Sequence, residues 1–555
     1  MRRFTSRLIA IAALCAAVVA GTGCGSDDSG GGDGSSSSAA MFRVGNAGAN
    51  VFDSPNPFVA KSIDALAAFR YLYAYLVQYD SKLNLVGSFA LDWTTSQDGK
   101  TWTFRTQPDA KWSDGRPMTA RDAAWTLNTL LRYRTGAAAW FAPYLGNIAK
   151  VTAPADDQLV IALESPSSPS SFLSRLQTIP ILPEHVWAEH ATGAAGVGLR
   201  RFANTPPMVA GGPFKLEKFG DRSIAVFTAN ENWFGPKPHI GSWGLQHYSS
   251  PDALVQALKA NEIDLALRLP PTSVRAVESS AGLTIQEETG VAWADIGYNS
   301  NPAKTDKPEL RDPQFRLAVA HAIDREKLID TFLLGAGTPG ITMIPPSNGR
   351  WFNDELGPIP HDPAKANEIL DQLGFRRGTD GIREADGHKM SYELIYLDTG
   401  NNRMVELLQN DLEDVGIELV PRIVGDAAYV PAIEADDYTR FDLSMDFWGT
   451  NPDPDYILST LTCEARANFS ETAYCSKEYD RLYEQQATTT DDEERRRIVW
   501  EMQDLLARDR PYEILFYPNA LEGLSDKWTG LVFSGNGSFN NYSNESLLSV
   551  RPVDR

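Results

Sequence analysis

DWTTSQDGKTWTFRTQPDAKWSDGRPMTARDAAWTL, residues 92–127, holds three local structures in tight succession. Asp98-Gly99 provides the positive-φ corner between two strands, and Trp102 and Phe104 alternate onto one face of the second. Ser113-Asp114-Gly115 makes the next turn. Thr119 then stands as N-cap, with Asp122 three places on to complete a capping box, ahead of an apolar stripe of Trp125, Leu127, Leu130 and Leu131. A hairpin running straight into a capped helix points to an α/β protein.

The rest of the chain keeps that alternation. Ser250-Pro251 opens a helix with Leu254 and Leu258 inward, and Ile263–Leu267 reads as the strand after it. Met404–Gly416 is an amphipathic helix stopped by glycine, with a strand at Ile417–Val420. Tyr479–Gln485 and Asp491–Ala507 read as helices, and Glu513–Tyr517 as a strand. Strands alternating with capped helices make α/β lobes. At 555 residues the chain exceeds a single core, so two to four lobes are expected.

The N-terminus reads differently. Arg2, Arg3 and Arg7 precede an apolar run from Leu8 to Ala20, too short to span a bilayer as a stable helix but of signal-peptide length. It leads to Gly21-Thr22-Gly23-Cys24, which resembles a lipoprotein cleavage site with Cys24 as the acylated first residue. Gly21 stands where such sites usually carry leucine, and plain secretion with Cys24 an incidental thiol is the alternative. Residues 25–40, GSDDSGGGDGSSSSAA, have nothing to bury. As a tether they would reach roughly 20 Å. The body is therefore expected outside the cytoplasm, on the periplasmic or outer face of the cell membrane, held by a lipid anchor only.

Loss of residues 1–23 removes three arginines and no acid, taking the formal net charge from −21 to −24. So acidic a surface argues against nucleic acid or anionic lipid as a partner. With Cys15 gone and Cys24 acylated, Cys463 and Cys475 remain, most simply as a disulfide formed in an oxidising compartment. The seven histidines, His185, His190, His239, His247, His321, His361 and His388, show no HExxH or paired zinc spacing. There is no G-x-S-x-G elbow and no Walker loop. Neither an enzyme, a cofactor nor a metal site is expected.

The residue types and order of elements in 92–127 resemble the solute-binding proteins of bacterial peptide/nickel ABC importers, solute-binding protein family 5. The resemblance continues in Gly211-Gly212-Pro213-Phe214-Lys215-Leu216 with Asn230-Glu231-Asn232-Trp233-Phe234-Gly235, and in Ala322-Ile323-Asp324-Arg325-Glu326. It recurs in Asp362-Pro363-Ala364-Lys365-Ala366 with Leu373-Gly374-Phe375, and covers roughly residues 41–550. It implies a bilobal periplasmic-binding-protein-like fold of the large cluster C type, with an extra subdomain inserted in the first lobe. Residues 1–23 would be the signal peptide and 24–40 the lipidated tether. Lobe I would comprise 41–74, 187–290 and 519–555, the inserted subdomain 75–186, and lobe II 291–518. Chain crossings near Trp293–Asn299 and Tyr517–Asn519 would form the hinge. The implied function is that of a monomeric lipoprotein that closes two lobes on a small ligand, a peptide first among candidates. It would deliver that ligand to an ABC permease of two membrane subunits with their ATPases. A carrier of a metal chelate, oligosaccharide or opine-like molecule is the alternative, as is a surface sensor without transport.

Two strands carry polar residues where apolar ones belong. In Gly290–Asn299, Trp293, Asp295 and Gly297 share one face; in Leu443–Trp448, Asp446 and Trp448 do. Trp293, Asp295, Asp446 and Trp448 are therefore candidate ligand contacts, Asp295 against either a ligand amine or an internal salt bridge. By resemblance, the loop Gly449–Asp455 would bring an aspartate to a peptide's α-amino group, but this chain has Asn451 at that place. An amide keeps the acceptor and loses the charge. Asp295 or Asp446 would then supply the charge, or the backbone holds the peptide, or the ligand is not a peptide. Tyr517 and Phe141 lie where the family places ligand-contacting aromatics.

Overall fold

The hairpin and helix expected within residues 92–127 both form. Gly99 takes a φ of +68°, and the strands Ala90–Thr95 and Thr101–Thr106 pair antiparallel with Trp93 opposite Phe104 and Thr95 opposite Trp102. The helix Ala120–Arg132 starts on the capping box: the Asp122 carboxylate accepts the Thr119 N–H at 2.9 Å, and the Thr119 hydroxyl accepts from Arg121 N–H at 3.3 Å. Both strands belong to a four-stranded sheet completed by Gln158–Leu163 and Ile148–Ala155.

This computed structural model describes residues 41–48, 51–220, 224–397, 402–467, 471–535 and 537–553. The expected signal peptide, tether and acylated Cys24 lie outside them. Cys463 and Cys475 are joined by a disulfide.

Among the described residues, twelve strands form a second, larger hydrogen-bonded sheet. One end is parallel strands of Glu418–Val424, Ser391–Leu397 and Leu443–Gly449, with Ala292–Tyr298 antiparallel to the last. The other end holds Leu265–Ala266, Phe42–Ala47 and Ser242–Tyr248 in parallel, then Ala225–Ala229 and Phe214–Lys218. One long strand, Tyr512–Ser525, belongs to both ends. Its first residues pair with Ala292–Tyr298 and its last with Leu265–Ala266 and Leu283–Thr289. Each end has its own core. Phe42, Val44, Phe227 and Trp243 pack in one, and Ile296, Tyr298, Phe315 and Leu394 in the other.

The strand expected at Glu513–Tyr517 thus runs on to Ser525 without a break. Beside it, the chain passes between the two ends at Gly290-Val291, earlier than the Trp293–Asn299 expected, because Trp293 is already in register with Trp448. Gly290 N–H donates to the Pro518 carbonyl at 3.2 Å, and a Cβ on Gly290 would stand 2.3 Å from that oxygen. The two passes touch there, backbone to backbone.

The helix Pro169–Leu176, beside the four-stranded sheet, is fastened to the helix Asp492–Asp509 and the loop before Asp455. Ser170 Oγ donates to Asp492 at 2.8 Å and accepts from Arg495 at 2.7 Å, and Ser171 Oγ donates to Asp455 at 2.9 Å. Arg495 is fully buried and forks onto Asp453.

Gly290→Ala is expected to cost about 1–3 kcal/mol by forcing the passes apart. Urea unfolding measures it; a variant as stable as the parent would show that the contact does not constrain the fold.

Candidate ligand-binding site

The two polar strands picked out above are direct neighbours. Trp293 stands opposite Trp448 and Asp295 opposite Asp446 in one antiparallel ladder, so all four side chains rise from the same face. Trp293 is buried and its Nε1–H donates to Asp295 Oδ2 at 3.0 Å. The other Asp295 oxygen has no hydrogen-bond partner among the described residues. Burial, then the charges of Glu471 and Asp446, hold the Asp295 carboxyl well above the usual range.

Trp448 is half-buried, and its Nε1–H donates to Glu471 Oε2 at 3.3 Å. Burial and the Asp446 charge push Glu471 up to about 8. Trp448, Asp446 and Glu471 line a cavity of about 350 Å³ whose remaining wall includes Tyr429, Ile433 and Tyr438. No lysine, arginine or histidine lines it among the described residues. Nor do any three of their His, Cys, Asp and Glu side chains stand close enough to hold a metal ion. The chemistry on offer is aromatic and acidic, suited to an organic cation.

Asn451 and Phe141 meet elsewhere, at a second cavity of about 40 Å³ that Arg70, Tyr144 and Asn541 also line. Phe141 is 4% exposed and packs edge-on against Phe58. The Asn451 carbonyl accepts from Asn348 Nδ2 at 2.7 Å, while Tyr542 Oη donates to the neighbouring Thr450 carbonyl at 3.1 Å. Asn451 is three positions along the chain from Trp448, so their Cα atoms are at most about 11 Å apart. Tyr517 belongs to neither cavity. It is fully buried, donates to the Thr342 carbonyl at 2.6 Å and accepts the Ile341 and Thr342 N–H groups.

Glu471, Tyr429, Tyr438 and Arg70 were not singled out from the sequence. Glu471 reaches the cavity from a loop distant in the chain, which no local pattern announces. Arg70 does leave a signal: it is a lone cation in the apolar run Ala65–Val77.

Residues 84–469 match the family described as bacterial extracellular solute-binding proteins, family 5, middle. A putative ABC transporter peptide-binding protein of Brucella ovis is 29% identical over 405 residues, covering 71% of this chain and 72% of its own. The fold is similar to that of the oligopeptide-binding protein AppA of Bacillus subtilis in complex with a nonapeptide, at a TM-score of 0.72 and 20% identity over 93% of this chain and 99% of that one. It is also similar to NikA of Brucella suis in complex with Fe(III)-EDTA, at a TM-score of 0.77 and 21% identity over 92% and 100%. The fold is the two-lobed α/β fold of those proteins.

A carboxyl whose pKa is raised on folding binds its proton more tightly in the folded state, so its contribution to stability is lost as pH rises. Stability against urea should therefore fall between about 4.5, the ordinary Glu471 value, and about 8. Glu471→Gln should flatten that decline; an identical slope in the variant would remove Glu471 as its source.

Proposed function

The chain belongs to the bacterial extracellular solute-binding proteins of family 5, and from that premise we propose that the solute it carries is a peptide clasped between two lobes that close about a hinge. It is an extracytoplasmic substrate-binding protein of an ABC importer. One observation carries the reading of the solute. The acid-lined aromatic cavity of Trp448, Asp446 and Glu471 and the small cavity shared by Asn451 and Arg70 sit on one short segment, where a peptide's charged ends would find complementary partners. Trp448, Asp446 and Asn451 then touch the ligand, Asp295 and Trp293 back them, and Phe141 closes over from the inserted subdomain. Asn451 gives a hydrogen bond in place of a charge, so the ligand amine goes to Asp446 and Glu471.

The lobes we assign are residues 41–74, 187–290 and 519–555 for the first and 291–518 for the second, with 75–186 inserted. The passes at Gly290-Val291 and Pro518 supply the hinge. A ligand that touches both lobes favours closure by its differential affinity for the closed form alone. We also propose that the protein acts as a monomer, anchored through an acylated Cys24.

Native mass spectrometry of protein purified from its host identifies the solute. A co-purifying peptide is the expected result, and a metal chelate, sugar or opine-like molecule would replace it. With that solute at saturation, small-angle scattering should show compaction, and an unchanged radius of gyration would rule out hinge closure. Trp448→Ala should weaken binding by about 1–3 kcal/mol with the fold intact; parental affinity by calorimetry takes Trp448 out of the site. Cys24→Ser should release the protein from membranes, whereas retention there would end the lipid-anchor assignment.

A further inference from the structure

Arg70 is a heavily buried cation lining the smaller cavity, at 2% exposure. Its Nε donates to the Asn541 carbonyl at 2.6 Å and one terminal nitrogen to the Gln177 carbonyl at 2.5 Å and the Gln177 side-chain oxygen. The Tyr75 ring lies 3.8 Å from the guanidinium carbon. The other terminal nitrogen, Nη1, has no hydrogen-bond partner among the described residues.

No carboxylate among the described residues forms an ion pair with it. The ionisable groups acting on it are Tyr75, Tyr79, Tyr542 and Tyr71. Burial pushes Tyr75 up to about 12 and the other three higher still, so all four are neutral at pH 7. An arginine cannot escape burial by losing its proton. A buried cation without a counter-charge is among the costliest arrangements a fold can hold. An anion arriving in the cavity would remove that cost.

The cavity admits only a small group. Its volume of about 40 Å³ compares with the roughly 10–15 Å³ of such space that one water molecule needs. Asn451 lines the same cavity. An aspartate there would give Arg70 a partner from its own chain and close the site to anions. Asparagine leaves the guanidinium available.

We propose that this small cavity is the subsite for an anionic group of the solute, a carboxylate that accepts from Arg70 Nη1 with Asn451 beside it as an uncharged neighbour. The proposal rests on the chain being a solute-binding protein, and not on the solute being a peptide. With the acid-lined cavity one short loop away, the solute is dipolar, its carboxylate at Arg70 and its cation at Trp448.

Saturation-transfer NMR on the full chain, with succinate and its neutral counterpart succinamide as probes, tests this apart from transport and apart from the identity of the natural solute. Succinate should bind saturably and succinamide should not. Arg70→Gln should weaken succinate at least tenfold. Asn451→Asp should do the same while raising the melting temperature, because it supplies the missing counter-charge; this second variant decides the matter if the first fails to fold. Equal binding of the two probes, binding of neither, or succinate affinity unchanged in Asn451→Asp would overturn the proposal. Those outcomes leave the peptide reading standing, since that reading falls only on what native mass spectrometry finds.

Discussion

The backbone of the long strand Tyr512–Ser525 must be hydrogen-bonded along its whole length, yet its two ends serve different cores. Its first residues are tied to Ala292–Tyr298 and its last to Leu283–Thr289, so the segment joining those two strands has to follow it closely. That requirement brings Gly290 onto Pro518 and leaves no room for a side chain. Everything that positions the candidate site follows from it. The strand that leaves Gly290-Val291 carries Trp293 and Asp295 directly into register with Trp448 and Asp446. Where the chain crosses and where the polar residues cluster are one constraint seen twice.

The acids and the cation line different cavities. Asp295, Asp446 and Glu471 gather on one side, and burial with mutual repulsion raises Asp295 and Glu471. Arg70 sits on the other without an acid of its own. Elsewhere buried charges are paired within the chain, Arg495 with Asp453 and Arg43 with Asp264.

Much of the architecture could be read from local residue patterns. The turn at Gly99, the cap at Thr119 and the helix starting at Pro251 are decided by neighbours in the chain, and they form as read. Strand alternation placed Asp295 and Asp446 on faces that prove to be the same face. The alternation could not show that they lie opposite each other, because register between strands about 150 residues apart is set by packing. The strand from Tyr512 runs longer than its residues suggest for a related reason: Pro518 and Asn519 look like a stop, and only a second strand beside them keeps the chain extended. Glu471 comes to its cavity from a separate loop with no motif around it, and Arg70 leaves only the trace of a lone cation in an apolar run. Tyr517 shows the converse, a residue notable by position whose hydroxyl is spent on the Ile341-Thr342 backbone.

The seam between the helices Pro169–Leu176 and Asp492–Asp509 is built from serine hydroxyls facing carboxylates and one guanidinium. Each of those bonds has a charged partner and is worth about 1.5–3 kcal/mol net, water recovering part of what a bare break would cost. Opening such a seam would break discrete bonds one at a time, each freed group being rehydrated in turn. An apolar seam of equal area would let go all at once or not at all.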